Sequence, residues 1–217
     1  VLLVRHGQSM HNISDVHAFG DSGADATLYD APLSSLGESQ AAGLAGHALL
    51  ATAEHAVVSP LTRAIQTMVG AFPAASARGA AGVSPPCTVW HVMAEHLTDS
   101  CDIGSGAATL AASWPTLDFS ALPEVWWYID DECSASDALD SRRQYRECGF
   151  MESEAAVNSR VDAFVAALRA RPERVIAAFG HSDFFNLVME RHCGIEDYWM
   201  DNCEVYALEL PPATALD

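Results

Sequence analysis

Long apolar runs are missing from this chain: nowhere do about 18 uncharged apolar residues follow one another, so no segment reads as a membrane span. Positive charge is scarce too, with 11 basic residues against 29 acidic ones and a formal net charge of −18. Nucleic acids and anionic membranes both demand clustered cations, so neither is expected as a partner. No CxxC pair occurs among Cys87, Cys101, Cys133, Cys148, Cys193 and Cys203. Spread this way, they read as reduced thiols of a cytoplasmic protein. His192 and Cys193 lack a second pair at ligand spacing, which argues against zinc.

What is present fits one folded unit. Half of the 217 residues are apolar, enough for a buried core and too many for a disordered chain. The chain opens on Val1 inside an apolar run, so a few natural residues are expected ahead of it. Val1–Val4 predicts a strand buried on both faces. A polar loop, His6 to Pro32, leads to a helix from Ser35. There Ser35 and Glu38 have capping-box spacing, and Ala41, Leu44, Ala45, Ala48 and Leu49 form the stripe. A second strand, His55–Val58, precedes Ser59-Pro60, expected as N-cap and first residue of the next helix. Its apolar positions are Leu61, Ala64, Ile65, Met68, Val69 and Phe72.

Pro73–Pro86 reads as a surface loop and Thr88–Val92 as a third strand. Residues 97–150 are the least regular part and are expected to form an excursion or cap over the site within a single domain, 1–217. Val157, Val161, Phe164, Val165 and Leu168 then mark a helix stopped by Pro172. Val175–Phe179 is a fourth core strand, followed by a short helix over Phe184–Arg191 and a last strand within Val205–Leu210. This alternation predicts an α/β three-layer sandwich with a mostly parallel central sheet.

Ligands of such sheets bind beyond the carboxyl ends of the strands. Four strand ends deliver Arg5-His6-Gly7, Ser59 with Arg63, Glu95, and His181 to one edge. A neutral imidazole is a good nucleophile toward phosphorus, and arginine meets phosphate oxygens with a planar fork. A carboxylic acid of raised pKa can protonate the leaving oxygen, and Glu95 is the best placed. His181 is expected as a second, partly cationic donor. The remaining His11, His17, His91, His96 and His192 read as structural or exposed, and Trp126-Trp127-Tyr128 as packing. Arg142, Arg143 and Arg146, the one basic cluster, leave a solvated face and a substrate contact both open.

Four ordered motifs carry a family resemblance: Arg5-His6-Gly7 with Ser9 and Asn12, Pro32-Leu33-Ser34 through Gln40-Ala41, Ser59-Pro60-Leu61 through Gln66-Thr67, and Gly180-His181-Ser182. Together they resemble the histidine phosphatase (phosphoglycerate mutase-like) superfamily, in its phosphatase-type members. The resemblance implies metal-independent hydrolysis of a small phosphoester without a cofactor, with His6 as the phosphorylated residue. Glu95 would be the proton donor, His181 the second catalytic histidine, and Arg5, Arg63, Asn12, Ser9 and Ser182 the phosphate and substrate contacts. Glu95 followed by Cys101-Asp102 is closest to eukaryotic phosphatase-like members. Asp183, two residues after His181, departs from the usual His-Gly-Gly or His-Ser-Gly and rivals Glu95 as donor. Two other functions stay open: a mutase, which would need more basic residues over the site, and an inactive adaptor, which would have lost a motif residue. Oligomeric state is not encoded in any pattern found.

Overall fold

The computed structural model describes residues 1–13, 29–76, 85–130 and 134–210. Five strands, β1 (Leu2–Arg5), β2 (His55–Val58), β3 (Cys87–Val89), β4 (Ile176–Gly180) and β5 (Val205–Ala207), form one sheet in the order β3-β2-β4-β1-β5. The first four run parallel, and β5 joins β1 antiparallel at the edge. Every residue of β2 and β4 is buried, which is why β4 and Ala56–Val58 of β2 read as unbroken apolar runs rather than as alternating ones.

Alternate residues of the strands feed two cores. Leu2, Val4, Ala56, Val58, Ala177 and Phe179 face α3 (Thr62–Ala71), with α2 (Ser35–Gly43) packed against that helix. Leu3, Val57, Ile176 and Ala178 face α6 (Glu154–Arg169) and α7 (Ser182–Cys193). Phe164 of α6 is fully buried, edge-on to both Trp90 and Phe184. Cutting such a ring back to alanine costs about 3–5 kcal/mol. The three-layer α/β sandwich is therefore as the sequence predicts.

Several boundaries differ, each for a local reason. The cap of α2 is Ser34, whose hydroxyl accepts from Gly37 N at 3.1 Å, so the Ser35–Glu38 capping box does not form. That helix ends at Gly43 as the chain turns through Gly46 at φ +78°, leaving Ala45, Ala48 and Leu49 exposed and Leu50 buried in their place. Ser59 does not cap α3. The helix begins at Thr62, and its first amide is satisfied from far away: Thr62 N and Oγ1 donate to Asp30 at 2.7 and 2.8 Å. The third strand stops at Val89, and His91–Met93 turn into a short 3₁₀ segment. The last strand covers only three residues of its predicted range.

The expected loop after β1 contains a four-residue helix, α1 (Met10–Ile13), and its residues 14–28 lie outside the described ones. So do residues 77–84 of the loop before β3. Within 97–150 the described residues include α4 (Ala107–Ser113) and α5 (Ala138–Cys148). Leu97, Ile103, Leu110, Phe119, Trp126, Trp127 and Phe150 join the core on the α3 side of the sheet. Trp126 and Trp127 are buried edge-to-face, and their indole N–H groups donate to Ser105 O and Ser141 Oγ. They pack, as the sequence implied. None of the described helices is long and apolar enough to cross a membrane.

Candidate active site

Four parallel strands end at one edge of the sheet, and there the site is assembled. Leaving β1, the chain at Gly7 passes so close to α2 that a Cβ on Gly37 would lie 2.0 Å from Gln8 O. Only glycine permits that approach. The same stretch is tied down by side chains: Gly7 N donates to Thr67 Oγ1 at 3.0 Å, Gln8 N to Gln40 Oε1 at 2.8 Å, and Ser34 Oγ to Gln8 Oε1 at 2.8 Å. Gln40 and Thr67 of the motifs thus serve the scaffold. From the other side, Asn202 Nδ2 donates to the His6 carbonyl at 3.0 Å and Cys203 N to the Arg5 carbonyl at 3.1 Å.

Held this way, His6 is buried and its protonation can be deduced. Nδ1 stands 2.7 Å from the Gly7 carbonyl, which can only accept, so Nδ1 carries the proton. The other nitrogen, Nε2, is left as a lone pair and accepts from Arg63 Nε at 3.3 Å. Burial, then the Arg63 guanidinium, holds the imidazole well below its ordinary pKa, so the ring is neutral at physiological pH. Arg63 stands in the first turn of α3 and is buried: Nη1 donates to the Cys101 carbonyl at 2.7 Å and Nη2 to Asp102 Oδ1 at 2.8 Å.

His181 is fully buried, its ring centroid 5.3 Å from that of His6. Its Nε2 lies 2.7 Å from Ser59 Oγ, while Nδ1 has no hydrogen-bond partner. The sequence suggested a partly cationic side chain. Instead burial, then Arg63 and His6, push its pKa well down and keep it neutral. Arg5 Nε is likewise buried without a partner, although Nη1 donates to Met200 O. Unsatisfied buried donors of this kind are rare and mark a place for a ligand.

A cavity of about 190 Å³ is lined by Arg5, His6, Ser9, His11, Asn12, Arg63, Glu95, Thr98, Asp99, Cys101, Asp102 and Asp183, while His181 lies outside that wall. Ser9 donates from N and Oγ to Asn12 Oδ1 at 2.9 and 3.0 Å, fixing both at the wall. Ser182 is not in that wall. As the first residue of α7 it is buried, and its hydroxyl turns to the Met200 carbonyl at 3.4 Å. Glu95 Oε1 accepts from Phe184 N at 2.9 Å and His96 N at 3.0 Å. Burial, then the like charges of Asp102 and Asp183, push its carboxyl up to about 7.

Asp102 was quoted in a motif but not placed in the site. It is buried against Arg63 and also accepts from Thr98 N and Asp99 N at 3.3 and 3.2 Å. Its one sequence signal was the Cys101-Asp102 pair. Arg142 of the basic cluster donates to the Gly104 carbonyl and lies 5.2 Å over the Tyr29 ring, away from the cavity wall. Among the described residues no group of three His, Cys, Asp or Glu side chains is placed to hold a metal ion.

Comparison with known proteins gives consistent results. Residues 1–79 match the sequence profile of the histidine phosphatase superfamily (branch 1). Over 96% of the chain, and 78% of the relative, it is 26% identical to a phosphoglycerate mutase-like protein of Arabidopsis thaliana. In structure it is similar to a mycobacterial glucosyl-3-phosphoglycerate phosphatase in complex with VO3, with a TM-score of 0.54 and 19% identity over 94% of this chain and 88% of that one. A mycobacterial hydrolase aligns over the same shares, with a TM-score of 0.54 and 19% identity. At these identities the structural likeness establishes the fold.

Proposed function

We propose that this chain, a histidine phosphatase superfamily protein, is a phosphomonoesterase that carries the phosphoryl group of a small substrate on His6 Nε2. Phosphoester hydrolysis or transfer is the chemistry of the superfamily. The observation that carries the finer reading is the state of His6: a buried neutral ring whose Nδ1 proton is pinned by Gly7 and whose bare Nε2 opens on a cavity beside two guanidinium groups.

In the first step Nε2 attacks phosphorus and the P–O ester bond breaks in line. Glu95, protonated at the outset, gives its proton to the departing alkoxide. Arg5 and Arg63 neutralise the phosphoryl oxygens, and the unpartnered Arg5 Nε is a donor left for them in the cavity wall, to which His181 would add its unpartnered Nδ1 from outside that wall. For His181 this needs the tautomer in which Ser59 Oγ donates to Nε2 and the proton sits on Nδ1. In the second step Glu95, now ionised, takes a proton from water. The resulting hydroxide attacks phosphorus, the P–N bond breaks, and its electron pair returns to Nε2. No metal enters either step.

Hydrolysis is favoured over mutase-type transfer by the cavity wall. Arg5 and Arg63 are the arginines that line it, against Glu95, Asp99, Asp102 and Asp183. A mutase must hold a second anionic group while its phosphoenzyme waits, and this wall offers little to hold it. The segment 97–150, which supplies Thr98, Asp99, Cys101 and Asp102 to the wall, is assigned the role of a cap. A cytoplasmic location is part of the proposal and rests on the cysteine spacing.

The test is turnover of p-nitrophenyl phosphate in the presence of EDTA. The native chain should hydrolyse it, and His6→Ala should lose at least about a thousandfold in kcat/KM. Alkaline-quenched enzyme should carry one phosphoryl group on His6 by mass spectrometry. An inactive native chain would leave the adaptor reading in possession.

A further inference from the structure

Glu95 and Asp183 both line the cavity, and either carboxyl could in chemical principle protonate the leaving group. Between them stands His96, which is outside the cavity wall. Its Nδ1 lies 2.9 Å from Asp183 Oδ2 and its Nε2 lies 3.0 Å from the Glu152 carbonyl. A carboxylate and a carbonyl both accept, so both ring nitrogens donate and the imidazole is a cation. Consistent with this, the bond from Asp183 raises His96 to about 9.

The ring sits in a rigid frame. Glu152 is buried and takes two hydrogen bonds from Arg160, Nε at 2.8 Å and Nη2 at 2.6 Å. Arg160 also donates to the carbonyls of Val92, Ala94 and Glu95 at 2.8, 2.8 and 3.2 Å. The stretch from Val92 to Leu97 is thereby fastened to α6, while His96 fastens it to α7 through Asp183. We propose that His96 is a positioning residue for the proton donor: as a fixed cation bridging Asp183 and the Glu152 carbonyl, it holds Asp183 in place and offsets its charge beside Glu95, so that Glu95 can release the transferable proton. This rests on the reading of Glu95 as the donor.

The charges that bear on Glu95 are Asp102 and Asp183 on one side of the balance, Arg63 and Arg5 on the other. Those that bear on His96 are Asp183 and Glu152, with Arg160 behind Glu152. Removing the His96 charge leaves Asp183 uncompensated beside Glu95, which must then hold its proton more tightly. Removing the Asp183 charge has the opposite effect. The two variants therefore move Glu95 in opposite directions, which a purely structural role for His96 would not do.

The experiment follows the Glu95 carboxyl by 13C NMR, assigned by its loss in Glu95→Gln, in the native chain, His96→Gln and Asp183→Asn. Glutamine can keep a donor to Asp183 without the charge, so folding is preserved. The Glu95 midpoint should rise by about one pH unit in His96→Gln and fall by about one in Asp183→Asn, roughly tenfold each in proton affinity. The basic limb of kcat/KM for an alkyl phosphate, whose leaving group needs the proton, should move with it. An unmoved midpoint in folded His96→Gln overturns the inference and leaves the phosphohistidine reading intact. Turnover that survives His6→Ala removes that reading and leaves the NMR result standing.

Discussion

In the proposed reaction Glu95 has to be protonated when the ester binds and ionised when water follows, and a carboxyl held at about 7 meets both demands at neutral pH. Replacing it by glutamine should slow hydrolysis of an alkyl phosphate by about 10²–10⁴ in kcat/KM. A nitrophenyl ester, whose leaving group needs no proton, should lose far less. Equal losses on the two esters would remove Glu95 from the donor role. The same group leaves a mark on stability. Its folded value is raised from 4.5 to about 7, so the folded chain binds the extra proton, and the stability this gives is full below 4.5 and lost as pH rises through 7. His96, raised from 6.5 to about 9, has the same sign in its own window. His6 and His181 are lowered and work the other way, so the sign is read from a difference. Between pH 4.5 and 7 the thermal midpoint of the native chain should fall relative to that of Glu95→Gln, followed by thermal denaturation.

Among the elements, the contact between the β1–α1 loop and α2 is the least forgiving. A methyl on Gly37 has backbone, not a flexible side chain, 2.0 Å away at Gln8 O, so either the helix or the loop carrying His6 must move. Gly37→Ala should cost about 1–3 kcal/mol by this overpacking, and lose activity beyond what the fraction folded explains. Urea unfolding and kcat/KM on the same preparation measure the two. Elements were legible in the sequence where the information was local. The apolar runs within β1, β2 and β4 and the 3.6-residue period of α3 made the sandwich legible, and the positions just after the strands pointed to His6, Arg63 and Glu95, which line one cavity, and to His181, which is buried beside His6. What was not legible is non-local. Asp30 caps α3 across 32 positions of sequence, Asp102 meets Arg63 across 39, and His96 meets Asp183 across 87. No periodicity or cap rule reaches that far, and His96 in particular looks like any other histidine until its two acceptors are in place. The motif position of Ser182 likewise does not tell that its hydroxyl turns to the Met200 carbonyl.

The molecule as a whole is at odds with its site. All 11 cations are arginine, none lysine, in a chain of net charge −18. A phosphoester dianion, the proposed substrate, would therefore be repelled at long range and attracted only within reach of Arg5 and Arg63. Salt screens the long-range part first. Raising ionic strength from about 10 to about 150 mM should increase kcat/KM by roughly two- to fivefold. A decrease would mean that the cavity's own field dominates. The order of the sheet sets another limit. β1 leads directly into His6, the proposed nucleophile, yet its neighbours β4 and β5 follow far behind it on the ribosome, and the Met200–Cys203 clasp on Arg5 and His6 arrives with them. Until that late segment has emerged, an apolar strand and its histidine wait unpaired. A growing chain of this kind is dormant as an enzyme and in need of shelter, and any product truncated before β5 would stay so.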